Sequence, residues 1–492
     1  MDGTINRRDF LGTFGLSAAS MAIPQELFAA KPLDCNSNQS RTAKSKDERQ
    51  CPAIMFNRTI PVRYEIDVFV AGGGPSGIAA ALAAARQGRK VYLAEGHSCF
   101  GGMATAGLVP CFAQFTDGVN FLAGGVGQEI YNRSKKAGAI FSNNPDGWTT
   151  IKAEALKRVY DDMIEQAGVE FTFHTNLIGV ETSGRNITYA ICAAKSGLFA
   201  VKAKMFIDAT GNGDLAAWAG APYEKGDENG SLMPGTLCSL WADIDWKAVE
   251  QAANKGQNAP EAVIKAINDG IFTIPDRHLS GILKVGTHVG GGNIGHTFGV
   301  DGTDEISLTK ALLWGRKVLN EYERFYKEYL KGYEKMTLVA TGPLLGVRET
   351  RRITGDYVLS LNDFKTKSIF NDEIGRYSYP VDVHPSKPDE KSFEKFAKEY
   401  STLRYDKGQS YGIPYRILTP LGLDNVLVAG RCVSSDRYMQ GSIRVMPGCF
   451  ITGQAAGVAA AIAVEENVSS RGFDVKKLQQ RLKKMGAFLP NA

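Results

Sequence analysis

The sequence predicts an α/β fold, and three features indicate it. Residues 66–71 (IDVFVA) form a short apolar run rich in β-branched residues, as in a buried parallel strand. A glycine-rich turn then leads into IAAALAAARQG, which has the composition of a helix, and a second strand-like segment, KVYLAEG, follows. Strands alternating with helices are typical of parallel α/β sheets.

Length and composition fit a globular protein of two or three domains. The chain has 492 residues, 43% hydrophobic and 22% charged, which excludes mainly disordered, collagen-like and disulfide-scaffold classes. The 57 basic and 52 acidic residues leave a net charge of +5, with no run of five or more Lys or Arg. The charge therefore predicts a mixed solvated surface and no nucleic-acid partner.

The eight cysteines follow no metal-binding or redox spacing, since the chain has no C-x-x-C and no C-x-x-C-H. We therefore predict no metal site. Most of the cysteines are expected to be buried small hydrophobic residues, although an exported protein would also permit one or two disulfides.

The first 30 residues are predicted to be a targeting signal. Residues 6–23 (NRRDFLGTFGLSAASMAI) contain two arginines, then Phe10, Leu11 and a weakly apolar stretch of small residues. This resembles a twin-arginine (Tat) signal, although Asn6 and Gly12 replace the commoner Ser or Thr and Lys. The resemblance implies export to the periplasm or another extracytoplasmic site; the alternative is a disordered tail. Residues 31–62 are polar and are predicted to be a linker.

The turn after the first strand reads G-G-G-P-S-G and matches the full G-x-G-x-x-G pattern. Its glycines permit a tight turn, contact with a pyrophosphate and close helix packing, while the helix N-terminus attracts phosphate. The second strand ends in Glu95, 18 residues after Gly77, and a carboxylate at this place in the pattern binds an adenosine ribose. The predicted dinucleotide-binding residues are Gly72, Gly74, Pro75, Ser76, Gly77 and Glu95.

A second G-x-G-x-x-G match at residues 290–295 (GGGNIG) serves as a comparison. It runs into HTFGVDGTD, which does not open a helix, and no acidic strand end follows. We predict a loop there and no second dinucleotide domain.

Four further motifs follow in order: GGMAT at 101–105, MFIDATGNGDLA at 205–216, NVLVAGR at 425–431 and QGSIRVMPGCFITGQAAGVAAAIA at 440–463. Their order resembles the glutathione-reductase-type FAD fold. More closely it resembles the bacterial FAD-dependent oxidoreductase (FAD_oxidored-type) family, with a distant likeness to fumarate reductase and succinate dehydrogenase flavoproteins. With HTFGVDGTD and GVRETRRITGDYVLS, the motifs cover nearly all of residues 65–465.

This resemblance implies FAD as cofactor and a Rossmann-like FAD-binding domain with an inserted substrate-side α+β domain. The implied ranges are 63–220 and 421–465 for the FAD-binding domain, 221–420 for the insertion and 466–492 for a C-terminal surface helix. Within these ranges the sequence predicts helices at 245–256, 259–271, 305–335 and 474–485.

The resemblance also implies residue roles. The loop after the second strand would lie beside the ribityl chain and flavin ring, Gly211 would close over the cofactor, and Gly430 and Arg431 would lie near the diphosphate. Residues 444–454 would direct a helix N-terminus at the flavin pyrimidine, whose N1/O2 edge gains negative charge on reduction. The additional FAD-binding residues are Gly101, Gly102, Met103, Thr105, Gly211, Gly430, Arg431 and Gly453.

Residues 446–464 contain no charge, so a membrane span is one interpretation of this segment. Pro447, Gln454 and several glycines and alanines make a poor span, and we predict a buried helix crossing a sheet instead.

The catalytic candidates come from the few histidines and from clustered arginines. His288 and His296 flank the second glycine motif, where a histidine either lines a pocket or serves as a structural donor. Arg348 opens the run RETRR, which would either bind substrate near the flavin or form a network between domains. Arg444 follows on the C-terminal loop, after Asp436, Arg437 and Tyr438, and is the fourth candidate.

His97 carries a separate hypothesis, because some related flavoproteins attach FAD covalently to a histidine after the second strand. The loop HSCFGG is shorter and otherwise unlike theirs, so a plain loop histidine is the alternative.

Together these features predict an exported FAD-dependent oxidoreductase that transfers hydride between a small organic substrate and flavin N5. The electron acceptor is not identified by the sequence. The alternatives are a monooxygenase using NAD(P)H and a flavin-bearing electron carrier without its own turnover site.

Overall fold

The structure, a computed structural model, describes residues 54–400 and 402–492. The predicted targeting signal and residues 31–53 of the predicted linker lie outside the described residues. The first strand begins at Val62, the last residue of that linker. Residues 60–492 group into one compact unit.

The first strand, the first helix and the second strand follow one another as the sequence predicts, and runs of consecutive strands or helices come later in the described chain. The helices are α1 (Pro75–Arg86), α2 (Val126–Lys136), α3 (Ala153–Gln166), α4 (Asp214–Trp218), α5 (Trp246–Asn254), α6 (Ala259–Asn268), α7 (Glu305–Tyr329), α8 (Leu361–Thr366), α9 (Glu390–Tyr400), α10 (Arg437–Ile443), α11 (Met446–Glu466) and α12 (Val475–Lys484). The strands are β1 (Val62–Ala71), β2 (Val91–Ala94), β3 (Cys111–Phe112), β4 (Thr149–Thr150), β5 (Glu170–Thr172), β6 (Asn176–Ser183), β7 (Asn186–Ala194), β8 (Gly197–Asp208), β9 (Tyr223–Lys225), β10 (Gly235–Thr236), β11 (Ser239–Ala242), β12 (Ile282–Lys284), β13 (Gly290–Gly292), β14 (His296–Thr297), β15 (Thr337–Thr341), β16 (Arg351–Ile353), β17 (Glu373–Tyr377), β18 (Tyr411–Pro414) and β19 (Val426–Val428).

The main sheet has a parallel core, which confirms the Rossmann-like α/β prediction. Its strand order is β5-β2-β1-β8, with β19 beside the end of β8, and all of these pairs are parallel. The antiparallel strands β7 and β6 extend the sheet beside the first half of β8. Ala71 pairs with Ala94 and with Asp208, so the carboxyl ends of three strands meet at one edge.

Two apolar helices, α1 and α11, cross closely in the main core. A Cβ on Gly453 would come within 2.2 Å of the Ser76 carbonyl oxygen, and one on Gly457 within 2.2 Å of the Ala80 carbonyl oxygen. Backbones at this separation require glycine at the crossing. Within the described residues, α11 is the one helix long and apolar enough to cross a membrane, but its apolar window is fully buried in the protein. This burial is that of a core helix.

A second hydrophobic cluster lies between a four-stranded antiparallel sheet, ordered β12-β13-β11-β15, and the long helix α7. Trp241, Leu319 and Phe325 are fully buried there. The cluster draws on residues 237–345, whereas the apolar side chains of residues 353–445 join the main core. The predicted domain boundaries stay a prediction.

The four predicted helices are confirmed, with shorter ends than expected. The longest ends at Tyr329 because Leu330 is extended and Gly332 has a φ of 91°. The loop predicted at 290–295 is wrong in part, since Gly290–Gly292 form β13. Bulky neighbours explain why this strand contains glycine, since a Cβ on Gly290 would meet the Ile282 side chain at 2.3 Å. No helix follows it, as predicted.

The six cysteines in the described part of the chain are free, and five of them are buried. Their burial agrees with the expectation of small hydrophobic residues. Cys35 and Cys51 lie outside the described residues.

Candidate active site

One large cavity opens at the carboxyl edge of the parallel strands. Its volume is about 500 Å³, and its walls include the loops after β1, β2, β8 and β19. Ligands of open α/β sheets bind at this edge, because the strand ends diverge there and leave a crevice. From the sheet edge the cavity extends to residues of β10, of the segment before β12 and of the segment after β17.

The glycine-rich turn at the sheet edge has the geometry of a phosphate cradle. Gly72 has a φ of 95°, and a Cβ on Gly77 would lie 1.8 Å from the Gly72 carbonyl oxygen. At Gly74 a Cβ would meet nothing within 4 Å, so that face of the turn is open to the cavity. The N-terminus of α1 has no capping side chain, and its first N–H groups are available to an anion. These features fit the pyrophosphate of FAD, and Pro75 and Ser76 line the cavity beside them.

Glu95 lies at the end of β2 and is 5% exposed. Its Oε2 accepts the Gly73 N–H at 2.6 Å and its Oε1 accepts the His97 N–H at 2.8 Å. Both oxygens retain lone pairs, and the side chain lines the cavity, which suits the predicted ribose contact. His97 also lines the cavity, next to the carboxylate of Glu95. Its covalent attachment to FAD stays a hypothesis.

The loop at 101–105 divides into cavity-lining and supporting residues. Gly102 and Met103 line the cavity. Gly101 and Thr105 do not: the Thr105 hydroxyl donates to the Phe100 carbonyl at 2.5 Å, and a Cβ on Gly101 would meet Thr105 at 2.7 Å. The predicted flavin contact of these two residues is therefore corrected to a role in shaping the loop.

Arg431 joins three segments around the cavity. Its guanidinium donates to the carbonyl oxygens of Gly211 and Val347 and to Oδ1 of Asn212, each at 2.8 Å. Gly211 and Arg431 both line the cavity, as predicted, and the bonds show that Arg431 fixes the loop around Gly211.

Two of the predicted FAD-binding glycines face protein rather than the cavity. The Gly430 N–H donates to the Thr452 hydroxyl at 3.0 Å, and Gly453 packs on the backbone of Ser76. Neither lines the cavity, so their predicted contact is corrected to helix packing. The N-terminus of α11 does face the cavity through Val445, Met446 and Cys449, and it has no capping side chain. A reduced, anionic flavin edge would be stabilised there.

The far end of the cavity holds a cluster of histidines and aspartates from three chain segments. Nε2 of His296 lies 3.2 Å from Nδ1 of His384, and the His278 ring stacks on the His296 ring at 4.8 Å between centroids. Each outer ring nitrogen faces a carboxylate: His296 Nδ1 is 2.9 Å from Asp276 Oδ2, and His384 Nε2 is 3.3 Å from Asp382 Oδ1. We call these five residues the Asp-His cluster.

Burial controls the charge of this cluster. Burial, with the charges of His296 and Arg348, lowers the pKa of His278 to about 4. Burial also lowers the pKa of His296 and, with Arg348, that of His384. For Asp382 burial acts to raise the pKa, but interaction with His384 and the charges of Arg444 and Arg348 outweigh it and bring the pKa below its usual range. At neutral pH the imidazoles are therefore neutral and the carboxylates ionised.

Arg348 and Arg444 stand beside the cluster and line the cavity. Arg444 donates to Asp382 Oδ2 at 3.0 Å. Arg348 is 8% exposed, and its NH1 donates to the Pro234 carbonyl and the Thr236 hydroxyl. Within the described residues it forms no ion pair with a carboxylate. Burial and the nearby Arg444 lower its pKa to about 10, so it stays charged at neutral pH.

The residues next to Arg348 form the buried network that was the alternative for this segment. Glu349 is fully buried and accepts from Arg352 at 2.6 Å, from Arg437 at 3.3 Å and from the Met233 N–H at 3.0 Å. The RETRR segment therefore serves both purposes, with one arginine at the cavity and its neighbours in a network.

His288 is not part of the site. It is exposed, does not line the cavity and contacts only the Ile244 carbonyl through Nδ1 at 3.4 Å. Its predicted catalytic role is corrected, because the glycine strand β13 separates it from His296. His296 itself is buried behind His278 and His384, which line the cavity.

Sequence reasoning missed Asp276, His278, Asp382 and His384. A signal for them exists, since the pattern D-x-H-x-S occurs twice, as DRHLS at 276–280 and DVHPS at 382–386. Only the fold brings the two copies together.

Comparison with known proteins identifies the family. Residues 67–482 match the sequence profile of a family described as FAD dependent oxidoreductase. A curated thiamine thiazole synthase from Methanococcus aeolicus is 26% identical over 265 residues, which cover 51% of this chain and 89% of that protein.

Solved structures resemble the fold at low sequence identity. A geranylgeranyl bacteriochlorophyll reductase-like protein from Thermoplasma acidophilum matches with a TM-score of 0.45 at 13% identity, over 86% of this chain and 84% of that one. The p-nitrophenol 4-monooxygenase PnpA from Pseudomonas putida DLL-E4 matches with a TM-score of 0.41 at 10% identity, over 87% of this chain and 91% of that one. Likenesses at this level say nothing about the substrate of this chain.

Proposed function

This chain belongs to the FAD-dependent oxidoreductase family, and on that premise we propose that it oxidises a small, oxygen-bearing organic substrate at the Asp-His cluster. The cofactor is FAD, which when bound accepts a hydride from a substrate C–H bond at N5 and passes two electrons to an acceptor. The glycine turn and Glu95 would hold its adenosine diphosphate part, and the N-terminus of α11 would face its ring.

The observation that carries the proposal is the buried guanidinium of Arg348. A buried charge without an opposite charge is costly, so such a group is normally paired. Among the described residues, the hydrogen bonds of the Arg348 side chain go to neutral oxygens, and Asp276 and Asp382, whose charges reach it, form no ion pair with it. Its side chain lines the cavity beside the cluster. A carboxylate or hydroxyl of the substrate would supply the missing acceptor, and it would place the substrate next to the flavin end of the cavity.

The rest of the site would orient the substrate and exclude water. Arg444 is held by Asp382 and presents a second cation to the cavity. The neutral imidazoles of His278 and His384 offer hydrogen bonds to a substrate hydroxyl. When a CH–OH group is oxidised, the hydride leaves from carbon and the hydroxyl proton leaves to this polar wall, which yields a carbonyl and reduced flavin.

Export of the protein is part of the proposal and is supported by the twin-arginine pattern near the N-terminus. That pathway carries folded proteins, which suits a chain that binds its cofactor before export.

The test is anaerobic bleaching of the flavin by a panel of small hydroxy acids and polyols. For a substrate that bleaches the wild type, Arg348→Met should retain FAD but be reduced roughly 10 to 150 times more slowly, because a hydrogen bond to a charged group contributes about 1.5–3 kcal/mol. Reduction by dithionite should be unchanged in this variant. Arg416→Met, which breaks an exposed pair with Asp372, is the matched control and should be reduced at the wild-type rate.

An unchanged reduction rate in Arg348→Met would contradict the role of this arginine. Consumption of NAD(P)H with bleaching would indicate a monooxygenase instead. Bleaching only by a partner protein, and by no compound in the panel, would indicate an electron carrier.

A further inference from the structure

We infer that His278, His296 and His384 bind a divalent transition-metal ion at the wall of the FAD cavity. We call this the three-histidine site. It involves histidines that the proposed reaction also uses, but it is argued from the geometry of the protein alone.

The three imidazoles converge as metal ligands do. One ring nitrogen from each histidine lies within 4.8 Å of the others, and the closest pair is 3.2 Å apart. Two nitrogens bound to one tetrahedral ion at about 2.0–2.1 Å are separated by roughly 3.3 Å. The closest pair thus has the spacing of neighbouring ligands. The His278 ring stacks on the His296 ring and would have to turn out of this stack to direct its nitrogen at the same ion.

The outer nitrogens have the partners that metal-ligating histidines require. In metal sites the second ring nitrogen donates to a carboxylate or another oxygen, which fixes the tautomer. Asp276 faces His296, Asp382 faces His384, and the Ser280 hydroxyl is 2.8 Å from Nε2 of His278. Both copies of the D-x-H-x-S pattern contribute to this arrangement.

The same partners determine what lies between the rings. The carboxylates beside the outer nitrogens favour protons there, which would leave lone pairs on the inner nitrogens. The inner nitrogens of His296 and His384 lie at hydrogen-bond distance, 3.2 Å, and either a proton on one of them or a cation between them accounts for this spacing. A single proton would join two nitrogens, whereas a metal ion also explains why the third imidazole converges on them.

The surroundings indicate the class of ion and its exposure. Imidazole ligands suit Zn²⁺, Fe²⁺, Cu²⁺ and Ni²⁺ rather than Mg²⁺ or Ca²⁺. His278 and His384 line the cavity, so one coordination position faces the space where a substrate would lie. Three protein ligands with an open fourth position are typical of catalytic rather than structural sites. Arg348 and Arg444 add positive charge nearby and favour an anionic oxygen in that position.

The experiment measures metal binding by the FAD-loaded protein without using its activity. The protein is depleted with a chelator, dialysed and titrated with Zn²⁺ or Co²⁺, and bound metal is counted by mass spectrometry. We expect one ion per chain, and with Co²⁺ a d–d absorption to the red of the oxidised flavin bands. Zn²⁺ should also raise the Tm, since a ligand that binds only the native state stabilises it.

His384→Ala and His278→Gln should each lose the stoichiometric ion and the Co²⁺ absorption while keeping their FAD. The matched control is His288→Ala, which removes an exposed histidine outside the site and should bind as the wild type does. His278 lies at the cavity wall, so its variant preserves the test if the buried His384 variant fails to fold.

The inference is overturned if the depleted wild type takes up no stoichiometric Zn²⁺ or Co²⁺. It is also overturned if His278→Gln binds the ion as tightly as His288→Ala does. In the first case the cluster is a hydrogen-bonded chain that shares a proton. If the wild type binds no metal but a substrate still bleaches its flavin, the metal site is wrong and the proposed function stands. Failure of the metal site and failure of the proposed function are therefore distinguishable.

Discussion

The two ends of the cavity are built in opposite ways. At the sheet edge, the site is made by backbone: six consecutive residues turn, open a helix and leave space for phosphate, and one carboxylate follows on the next strand. At the far end, the site is made by side chains from segments around 278, 296, 348 and 384, which meet only in the folded protein. The first end depends on sterics and the second on buried charge.

The substitution with the largest expected effect disrupts the end of the cavity that is built from backbone. Gly77→Ala places a Cβ 1.8 Å from the Gly72 carbonyl oxygen, which neither backbone can avoid without moving the turn. We expect complete loss of bound FAD and a clearly lower Tm, measured by flavin absorbance and thermal unfolding.

Gly74→Ala separates packing from cofactor binding at the same turn. Its Cβ would meet no protein atom within 4 Å, and the residue has a φ of −70° that alanine adopts easily. The variant should fold with wild-type stability and yet bind FAD more weakly. Wild-type FAD affinity in Gly74→Ala would mean that the pyrophosphate does not lie on this face.

A substitution with a smaller expected effect tests the end of the cavity that is built from buried charges. Glu349→Gln removes the fully buried carboxylate that pairs with both Arg352 and Arg437, whose other carboxylate partners, Glu224 and Asp227, are more exposed, and we expect the free energy of unfolding to fall by about 3–5 kcal/mol. Urea unfolding measures it. Glu224→Gln is the control, because Glu224 faces the same Arg352 but is 70% exposed, and should cost less than about 1 kcal/mol. Equal losses in the two variants would show that burial does not control this network.

The smallest effect is a pH dependence at the sheet edge. Burial raises the pKa of Asp208 to about 6 from 3.8, against the hydrogen bonds that it accepts from Ala216 and Thr210. The native state therefore holds this proton more tightly than the unfolded state. Its contribution to stability is full below about pH 4 and falls by up to roughly 3 kcal/mol as the pH rises to 6.

Asp208→Asn removes this dependence. The difference in unfolding free energy between wild type and variant should fall from pH 4 to pH 6 and then level off. Glu65→Gln, at an exposed carboxylate bonded to Lys202, should show no such fall. A difference that stays flat or rises across this range would contradict the raised pKa.

Prediction from sequence succeeded where the chemistry is local. The strand, the glycine turn, α1 and Glu95 follow one another in the chain. The steric contact that requires Gly77 lies within that unit, whereas Gly72 packs on Ala209 and Gly74 faces the cavity. Gly211, Arg431, Arg348 and Arg444 also line the cavity, and their predicted roles stay predictions. Gly430, Gly453 and Thr105 do not line it, because a motif shows that a residue is constrained but not whether a ligand or another helix constrains it.

The histidines show the limit most clearly. His288 and His296 are eight residues apart with β13 between them, yet His296 is buried in the cluster whereas His288 is exposed. His278 and His384 carry the same short pattern, and nothing local indicates that they face one another.

The sequence alone predicts the parallel α/β fold and the phosphate-binding edge from one strand–turn–helix–strand unit, and the FAD family from motifs spread over residues 65–465, because each of these signals is a local pattern of neighbouring residues. The tertiary structure alone decided which histidines, aspartates and arginines share the cavity. Their proximity results from packing the segments before β12 and after β17 against β14 and α10, a long-range arrangement that has no counterpart in residue spacing.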